Sequence, residues 1–195
     1  MRKNLFILFL TALFAVLTPG FARASAKPVL FIVAPQNFRQ EEYFIPKDLL
    51  NKAGFQVVTA SRAKGELTGY PEGKAKSDLA LAQVRLSDYQ ALVFIGGPGA
   101  QVFWDDPQAQ ALAKEAVKRD MVLGAICIAP VTLARAGVLK GKRATVWPDY
   151  HRELSGAGAV YSGLGLTVDG RIVTAAGPDY ARQFGEVLLK LLKLQ

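Results

Sequence analysis

Cysteine is nearly absent from this sequence, which has 195 residues and a single one, Cys127. One cysteine excludes an intramolecular disulfide, so the fold must be held together by its core. Apolar residues make up 51% of the chain. Because about 170 residues are expected to fold, a core on both faces of a sheet is large enough. A lone thiol suggests a functional role, and an inert buried cysteine is the alternative.

The sequence also lacks an N-terminal apolar run long enough to cross a membrane. The run at 5–17 has about 13 residues, whereas a spanning helix needs about 20. Two basic residues precede it and the triplet Ala22-Arg23-Ala24 follows it, which is typical of a signal peptide with a small-residue cleavage site. We therefore predict a signal peptide over 1–24, one domain over 25–195, export to the periplasm or the outside medium, and no stable membrane anchor.

Basic residues are in excess, but they are not concentrated in one segment. Without Arg2, Lys3 and Arg23, the chain carries 21 basic and 16 acidic residues, a net charge of +5. Nucleic-acid-binding proteins usually gather such residues on one helix or face, often with stacking aromatic side chains. We therefore predict no nucleic-acid partner and attribute the surplus charge to solubility.

Short apolar runs alternate with amphipathic stretches along the chain, with no linker or repeat. The runs predict strands, the last two flanking the hairpin signal Asp169-Gly170, over 29–33, 55–59, 91–95, 121–126, 142–146, 166–168 and 171–174. The amphipathic stretches predict helices over 41–53, 106–119 and 129–136, and a last one from 177 onward. Residues 61–90 predict a looser crossover with a small hairpin or a short helix. The alternation predicts an α/β fold with a single doubly wound, mostly parallel, flavodoxin-like sheet and helices on both faces.

Two segments follow buried strands at the edge where open parallel sheets bind ligands. Gly96-Gly97-Pro98-Gly99 follows the strand at 91–95, and Cys127 lies between the strand at 121–126 and the next helix. The positive end of a helix dipole stabilises a thiolate, and backbone N–H groups in both turns could hold an oxyanion. The glycine turn has the spacing of neither a dinucleotide fingerprint nor a P-loop. We predict no nucleotide, no other cofactor and no metal.

Four motifs, in the same order and at matching intervals, resemble the ThiJ/PfpI superfamily, a class I glutamine-amidotransferase-like group. The resemblance covers the chain from Val29 to the final helix. It implies an activity of the glyoxalase or deglycase type, and it leads us to expect a homodimer, because members are commonly dimers. The motifs are Phe38-Arg39-Gln40-Glu41-Glu42-Tyr43-Phe44-Ile45-Pro46, Phe94-Ile95-Gly96-Gly97-Pro98-Gly99, Ala125-Ile126-Cys127-Ile128-Ala129-Pro130 and Val168-Asp169-Gly170-Arg171-Ile172-Val173-Thr174-Ala175-Ala176-Gly177-Pro178.

The resemblance implies roles for four residues. Cys127 corresponds to the nucleophile at the elbow, held in a strained backbone conformation. Glu42, four residues before Pro46, corresponds to the carboxylic acid that hydrogen-bonds the thiolate, and burial would have to raise its pKa for it to stay protonated. Gly97 and Ile128 correspond to the backbone N–H donors for an oxyanion. Alternatively, Glu42 is only an exposed charge on the helix. The neighbouring Glu41 is the other candidate for the carboxylic acid.

The sequence departs from the family pattern around the pocket. Members classed as peptidases carry a histidine directly after the cysteine, and this chain has Ile128 there. The only histidine, His151, either approaches the pocket from its loop or lies at the surface or an interface. Trp147, where some relatives have histidine or tyrosine, is expected to form an apolar wall, and Gly96 is also assigned to the pocket. Proteolysis is therefore the least supported family activity.

Several functions remain open at this point. The favoured one is a cofactor-independent enzyme in which Cys127 attacks a small electrophilic substrate, an aldehyde such as methylglyoxal or a glycated adduct, and Glu42 moves the protons. The alternative is a redox-sensing or chaperone-like stress protein in which Cys127 is oxidised to the sulfinate. A cysteine peptidase or amidase, an isonitrile-hydratase-like enzyme and a plain binding protein are less favoured. Residues 61–90 and the region around Tyr150 should line the pocket, but they carry no recognisable substrate code.

Overall fold

The structure, a computed structural model, describes residues 27–194. The predicted signal peptide and its cleavage site lie outside these residues. Within the described chain, no helix has both the length and the apolar character needed to cross a membrane.

The described chain contains strands and α-helices connected by loops and short 3-10 turns. In chain order the strands are β1 (Val29–Ile32), β2 (Phe38–Arg39), β3 (Val57–Ser61), β4 (Gly65–Tyr70), β5 (Lys74–Ser77), β6 (Leu79–Ala80), β7 (Ala91–Phe94), β8 (Val122–Ile126), β9 (Arg143–Ala144), β10 (Val160–Tyr161), β11 (Leu166–Asp169) and β12 (Ile172–Ala175). The helices are α1 (Gln40–Lys52), α2 (Pro107–Lys118), α3 (Pro130–Arg135), α4 (His151–Gly156) and α5 (Ala181–Leu192).

Seven strands form the central sheet in the order β11-β12-β8-β7-β1-β3-β6. All neighbours are parallel except the edge strand β11, which is antiparallel to β12. Strands β1, β7 and β8 are buried at every residue, as parallel strands are when both faces of their sheet are covered. Their carboxyl ends meet at one edge, so the turns that follow them lie side by side. The predicted α/β fold with a mainly parallel sheet is confirmed.

Helix α5 packs against β8 and β12 and lies alongside α1, which itself packs on β1 and β3. A Cβ on Gly124 of β8 would lie 3.0 Å from the Phe184 ring and 3.1 Å from Leu188 of α5. On the side of α5 that faces α1, a Cβ on Gly185 would lie 2.9 Å from the Cα atom of Pro46. Small residues at both surfaces therefore let strand, α5 and α1 approach closely.

The second long helix, α2, begins with a side-chain cap. The Asp106 side chain accepts hydrogen bonds from the N–H groups of Gln108 and Ala109, at 2.9 and 3.0 Å, and thereby satisfies two donors that the first helical turn leaves free. Pro107 occupies the first helical position, where a missing N–H costs nothing.

A small second sheet connects the crossover segment to the start of α1. Strands β4 and β5 form an antiparallel hairpin, which confirms the hairpin predicted within 61–90. Strand β2 pairs in parallel with β4, with Arg39 opposite Tyr70. This pairing brings the hairpin to the sheet edge that carries the glycine turn and Cys127.

Some element boundaries differ from the sequence predictions. The strand predicted over 55–59 is β3, Val57–Ser61, because Val29 of β1 pairs with Val57. The strand predicted over 142–146 shrinks to β9, Arg143–Ala144, because only these residues pair with β10. Helix α4 was not predicted, since among its six residues only Leu154 is buried and no apolar periodicity results.

Candidate active site

Cys127 directly follows β8 and adopts a left-handed backbone conformation with a φ of 64°. This conformation is uncommon for a residue with a side chain and typically costs about 1–3 kcal/mol, so surrounding contacts must maintain it. Two hydrogen bonds do so here. The Cys127 N–H donates to the carbonyl of Ala175 at 2.8 Å, and the Cys127 carbonyl accepts from the Trp147 N–H at 2.8 Å. The thiol is therefore held at a fixed elbow between β8 and α3.

Gly96, in the turn after β7, leaves the space that the elbow and Glu42 occupy. A Cβ at this position would lie 2.5 Å from the Cβ of Cys127 and 2.6 Å from Oε2 of Glu42. Glu42 lies in the first turn of α1 and is completely buried. The glycine is thus required by close packing, which brings the ends of β7, β8 and α1 together at one point.

The Glu42 carboxyl and the Cys127 thiol form a buried titratable pair. Burial raises the pKa of Glu42 from 4.5 to about 8, and its interaction with Cys127 and the charge of Arg39 oppose this increase. Neither carboxyl oxygen has a hydrogen bond of full geometry within the described residues, although the Cys127 thiol and the Gly96 N–H face the group. At neutral pH the carboxyl is therefore protonated and can act as a donor.

The pKa of Cys127 is also raised, from 9.0 to about 12, by burial and by the charge of an ionised Glu42. The backbone N–H groups of Gly97 and Ile128 act in the opposite direction. Burial therefore outweighs the lowering of the Cys127 pKa that a helix dipole was expected to cause. A protonated Glu42 has the opposite effect and favours the thiolate form of Cys127, because a carboxylic acid donates to a thiolate instead of repelling it.

The thiol lies at the base of a cavity of about 280 Å³. Ligand pockets usually measure roughly 300–1,000 Å³, so this cavity suits a small molecule. Gly97 and Ile128 line it on either side of Cys127, where their N–H groups face the sulfur. The remaining lining residues are mostly aromatic or apolar and include one cation and one anion: Arg39, Tyr70, Pro98, Gln101, Trp147, Asp149, Tyr150 and Pro178.

Most of the residues that the sequence assigned to a site are brought together. Cys127, Glu42, Gly97 and Ile128 converge at the elbow, and Trp147 forms a wall of the cavity. Within residues 27–194, no group of three or more histidine, cysteine, aspartate or glutamate side chains is arranged to hold a metal.

Two pocket assignments are corrected by the structure. Gly96 lies behind Cys127 instead of on the cavity surface. His151 also lies outside the cavity, because it begins α4 and its ring is held elsewhere. Its Nδ1 is 2.8 Å from the carbonyl of Pro148, and its ring centroid is 5.6 Å from that of Tyr161. His151 is therefore not positioned to exchange a proton with Cys127.

Sequence reasoning missed several residues around the site, among them Arg39, Tyr70 and Trp104. Arg39 and Tyr70 line the cavity from paired strands, and Trp104 donates from Nε1 to the carbonyl of Ile128 at 3.2 Å, which supports the elbow from outside. Arg39 belongs to the same sequence motif as Glu42, and this was the feature of the sequence that could have identified it as a site residue. The other two reach the site through contacts distant in sequence.

A strained cysteine at a strand-to-helix elbow, beside a buried carboxyl on a mainly parallel sheet, defines a class of α/β proteins with a nucleophile elbow. Within that class, the DJ-1/PfpI family profile matches residues 27–191. The chain belongs to the DJ-1/PfpI family, which confirms the resemblance found in the sequence. Members of this family are stress-related enzymes or proteins.

Relatives and solved structures agree with this assignment. The chain is 42% identical over 168 residues to an uncharacterized protein of Methanocaldococcus jannaschii, covering 85% of this chain and 82% of that one. It is 33% identical over 169 residues to YraA of Bacillus subtilis, whose name marks it as a cysteine protease candidate, covering 86% and 99%. The crystal structure of a ThiJ/PfpI domain protein from Brachyspira murdochii matches with a TM-score of 0.86 and 28% identity, covering 88% and 99%.

Proposed function

We propose that this protein is a cofactor-independent cysteine enzyme that converts small reactive carbonyl compounds in envelope stress defence. The observation that carries the proposal is the interaction between Cys127, strained at the elbow and lining a small cavity, and the completely buried Glu42. A protonated carboxyl next to a nucleophile is the arrangement that general acid–base catalysis on a carbonyl needs.

In the proposed reaction on methylglyoxal, the Cys127 thiol first gives its proton to water, and the sulfur then bonds to the aldehyde carbon. The carbonyl oxygen becomes an oxyanion, which the N–H groups of Gly97 and Ile128 stabilise and which Glu42 protonates. The resulting carboxylate of Glu42 removes the hydrogen of the former aldehyde carbon as a proton and delivers it to the neighbouring carbon, through an enediol, while the hydroxyl proton on the first carbon passes to the oxygen of the second. Glu42 then regains a proton from water. This leaves a thioester.

Water then hydrolyses the thioester and releases lactate and the free thiol. The aldehyde carbon is oxidised, the ketone carbon is reduced and one water is added, so the reaction needs no external oxidant or cofactor. A glycated adduct would follow the same course after it has released its amine or thiol and regenerated the free aldehyde.

Peptidase activity is less well supported, although a relative carries a protease name. A cysteine protease maintains its thiolate with a neighbouring imidazole. Here Ile128 follows Cys127, and the ring of His151 is bound to Pro148 and packs near Tyr161. The acid beside Cys127 is a carboxyl, which suits proton transfer on a small carbonyl compound.

A redox-sensing role is the second candidate, and the same pair favours it. Oxidation of Cys127 to the sulfinate by two equivalents of a peroxide, through the sulfenate, would place a stable anion beside the protonated Glu42, which could donate to it. The single cysteine leaves no intramolecular partner to convert a sulfenate into a disulfide. We further propose that the protein is exported behind its signal peptide and acts as a homodimer.

The experiment that tests the enzyme is methylglyoxal consumption with lactate formation by the purified protein, compared with Cys127→Ala. We expect turnover by the natural protein and none by the variant. Glu42→Gln should also lose turnover, while Cys127 in that variant should still react with an alkylating reagent, because the amide can donate to sulfur but cannot exchange protons. Equal rates for the natural protein and Cys127→Ala would exclude the glyoxalase-type reaction and leave the redox role as the leading candidate.

A further inference from the structure

Among residues 27–194, Arg39 is the one cation that lines the catalytic cavity. Its side chain is partly buried, with 28% of its surface exposed. A guanidinium at the wall of a small, mainly apolar cavity attracts anions more strongly than the same group in open solvent, because water screens it less.

The fold holds Arg39 in place through both its backbone and its side chain. The Arg39 N–H donates to the carbonyl of Gly96 at 3.0 Å. The pairing of β2 with β4 sets Tyr70 opposite Arg39, and the guanidinium carbon lies 5.6 Å from the centroid of the Tyr70 ring. A side chain that is already ordered loses little conformational entropy when it binds a ligand.

The ion pair that orients Arg39 leaves most of its donors unused. Its Nε lies 2.8 Å from Oε2 of Glu41. Within residues 27–194, the two terminal nitrogens of Arg39 donate no hydrogen bond to the protein. These nitrogens belong to the planar fork that binds carboxylates through two parallel hydrogen bonds.

Arg39 is also close to the reacting groups. It lines the same cavity as Cys127, and its charge lowers the otherwise raised pKa of Glu42. An anionic group bound at Arg39 would therefore lie within one small molecule's length of the sulfur.

We propose that Arg39 is a specificity-determining residue that binds an anionic group of the substrate, so that the preferred substrates are small dicarbonyl compounds bearing a carboxylate. This inference deepens the proposed function and rests on it. The carboxylate takes no part in the bond changes: Cys127 adds to the aldehyde, Glu42 moves the proton, and water releases a hydroxy acid as with methylglyoxal. Methylglyoxal, which is uncharged, would undergo the same reaction without an ionic interaction with Arg39.

Asp149 is the one carboxylate side chain in the lining and opposes an anion. It is exposed and accepts a hydrogen bond from Nε1 of Trp147 at 3.2 Å. Solvent screens an exposed charge more than a partly buried one, so the attraction of Arg39 outweighs the repulsion of Asp149.

The test compares alkylation of Cys127 by iodoacetate, which is anionic, and by iodoacetamide, which is neutral and of similar size. Both reagents form the same sulfur–carbon bond and release iodide, so the ratio of their rates is independent of how much thiolate is present. We expect Arg39→Gln to lower the ratio of the iodoacetate rate to the iodoacetamide rate by about tenfold, the loss of one hydrogen-bonded charge interaction. Arg39→Lys should lower this ratio less than Arg39→Gln does. Asp149→Asn should raise the ratio above that of the natural protein.

Arg85→Gln is the matched control, because it removes the same charge from a side chain that is 83% exposed and outside the cavity. It should leave the ratio unchanged. If Arg39→Gln and Arg85→Gln have the same ratio, Arg39 does not bind the anion and the proposal is overturned.

The natural protein provides a second measurement that does not depend on any variant folding. An anion site makes alkylation by iodoacetate saturable and lets acetate inhibit it more than acetamide does. Alkylation that is linear in iodoacetate and equally insensitive to both would overturn the proposal. Because neither measurement requires turnover, a failure of the glyoxalase-type reaction and a failure of the anion site give different results.

Discussion

At the scale of single residues, the site depends on a carboxyl that the fold has removed from water. Glu42 is completely buried, and burial is the main cause of its raised pKa. An ionised carboxylate in such a position would lack hydration and would also face the Cys127 sulfur. The pair is therefore most stable with a proton on Glu42, which is the state that a general acid requires.

The raised pKa of Glu42 has a consequence for stability that can be measured. With a pKa of about 8 in the folded state and 4.5 as its ordinary value, Glu42 holds a proton over this interval that the unfolded chain has released. Its contribution to stability is therefore full below pH 4.5 and is lost as the pH rises to 8, by at most about 1.4 kcal/mol per pH unit.

Urea unfolding of the natural protein and of Glu42→Gln, measured across this interval, isolates the effect. The free energy of unfolding of the natural protein should fall relative to that of the variant as the pH rises from 4.5 to 8. Parallel pH profiles for the two proteins would show that the Glu42 carboxyl is not protonated in the folded state at neutral pH.

At the scale of elements, the position of Glu42 depends on how α1 is packed. Helix α1 lies against α5, which in turn lies against β8, the strand that ends at Cys127. The two sides of the catalytic pair are thus connected through α5. A change in the distance between α1 and α5 should move the carboxyl relative to the thiol.

Gly185→Ala tests this connection. The new Cβ would lie 2.9 Å from the Cα of Pro46 and 2.9 Å from Cδ1 of Leu49. Because the Cα belongs to the backbone, the helices would have to separate, and we expect a loss of about 1–3 kcal/mol in the free energy of unfolding, although alanine favours helix over glycine by about 1 kcal/mol.

Gly156→Ala is the control for this helix substitution. Gly156 ends α4, and a Cβ there meets nothing within 4 Å, so this variant should be as stable as the natural protein or slightly more so in urea unfolding. Equal stability of the Gly185 and Gly156 variants would contradict close packing between α1 and α5.

At the scale of the whole molecule, the central sheet except its edge strand β6 could be predicted from local sequence. Its parallel strands are short apolar runs bounded by turn residues, and the cap at Asp106 and the hairpin at Asp169-Gly170 are local signals as well. The predictions failed where an element depends on its partner. Strand β9 exists only where β10 pairs with it, and α4 buries a single residue.

The site was predicted only in part for the same reason. Cys127 and the glycine turn could be placed at one edge by strand order, and the resemblance to the family supplied Glu42. The arrangement of Arg39 over Tyr70 follows from a pairing between strands 31 residues apart in sequence, which no local pattern indicates. His151 was assigned to the pocket by its nearness in sequence to Trp147, yet its ring is held by Pro148.

The proposed export and the proposed dimer also concern the whole molecule, and one analysis of protein recovered from its native source tests both. We expect an N-terminus at Ser25 if the predicted signal peptide is removed after Ala24, and a native mass of twice the chain if the protein is a dimer. A retained N-terminal Met1 would contradict export by cleavage, and a native mass of one chain would contradict the dimer.

The central claim is that Cys127 acts as a nucleophile on small reactive carbonyl compounds. It is tested most directly by the amount of lactate formed per methylglyoxal consumed, with purified protein and no added metal or cofactor. The account predicts one lactate for each methylglyoxal over many turnovers, and none with Cys127→Ala. Consumption without lactate, or lactate formed equally by Cys127→Ala, would contradict it.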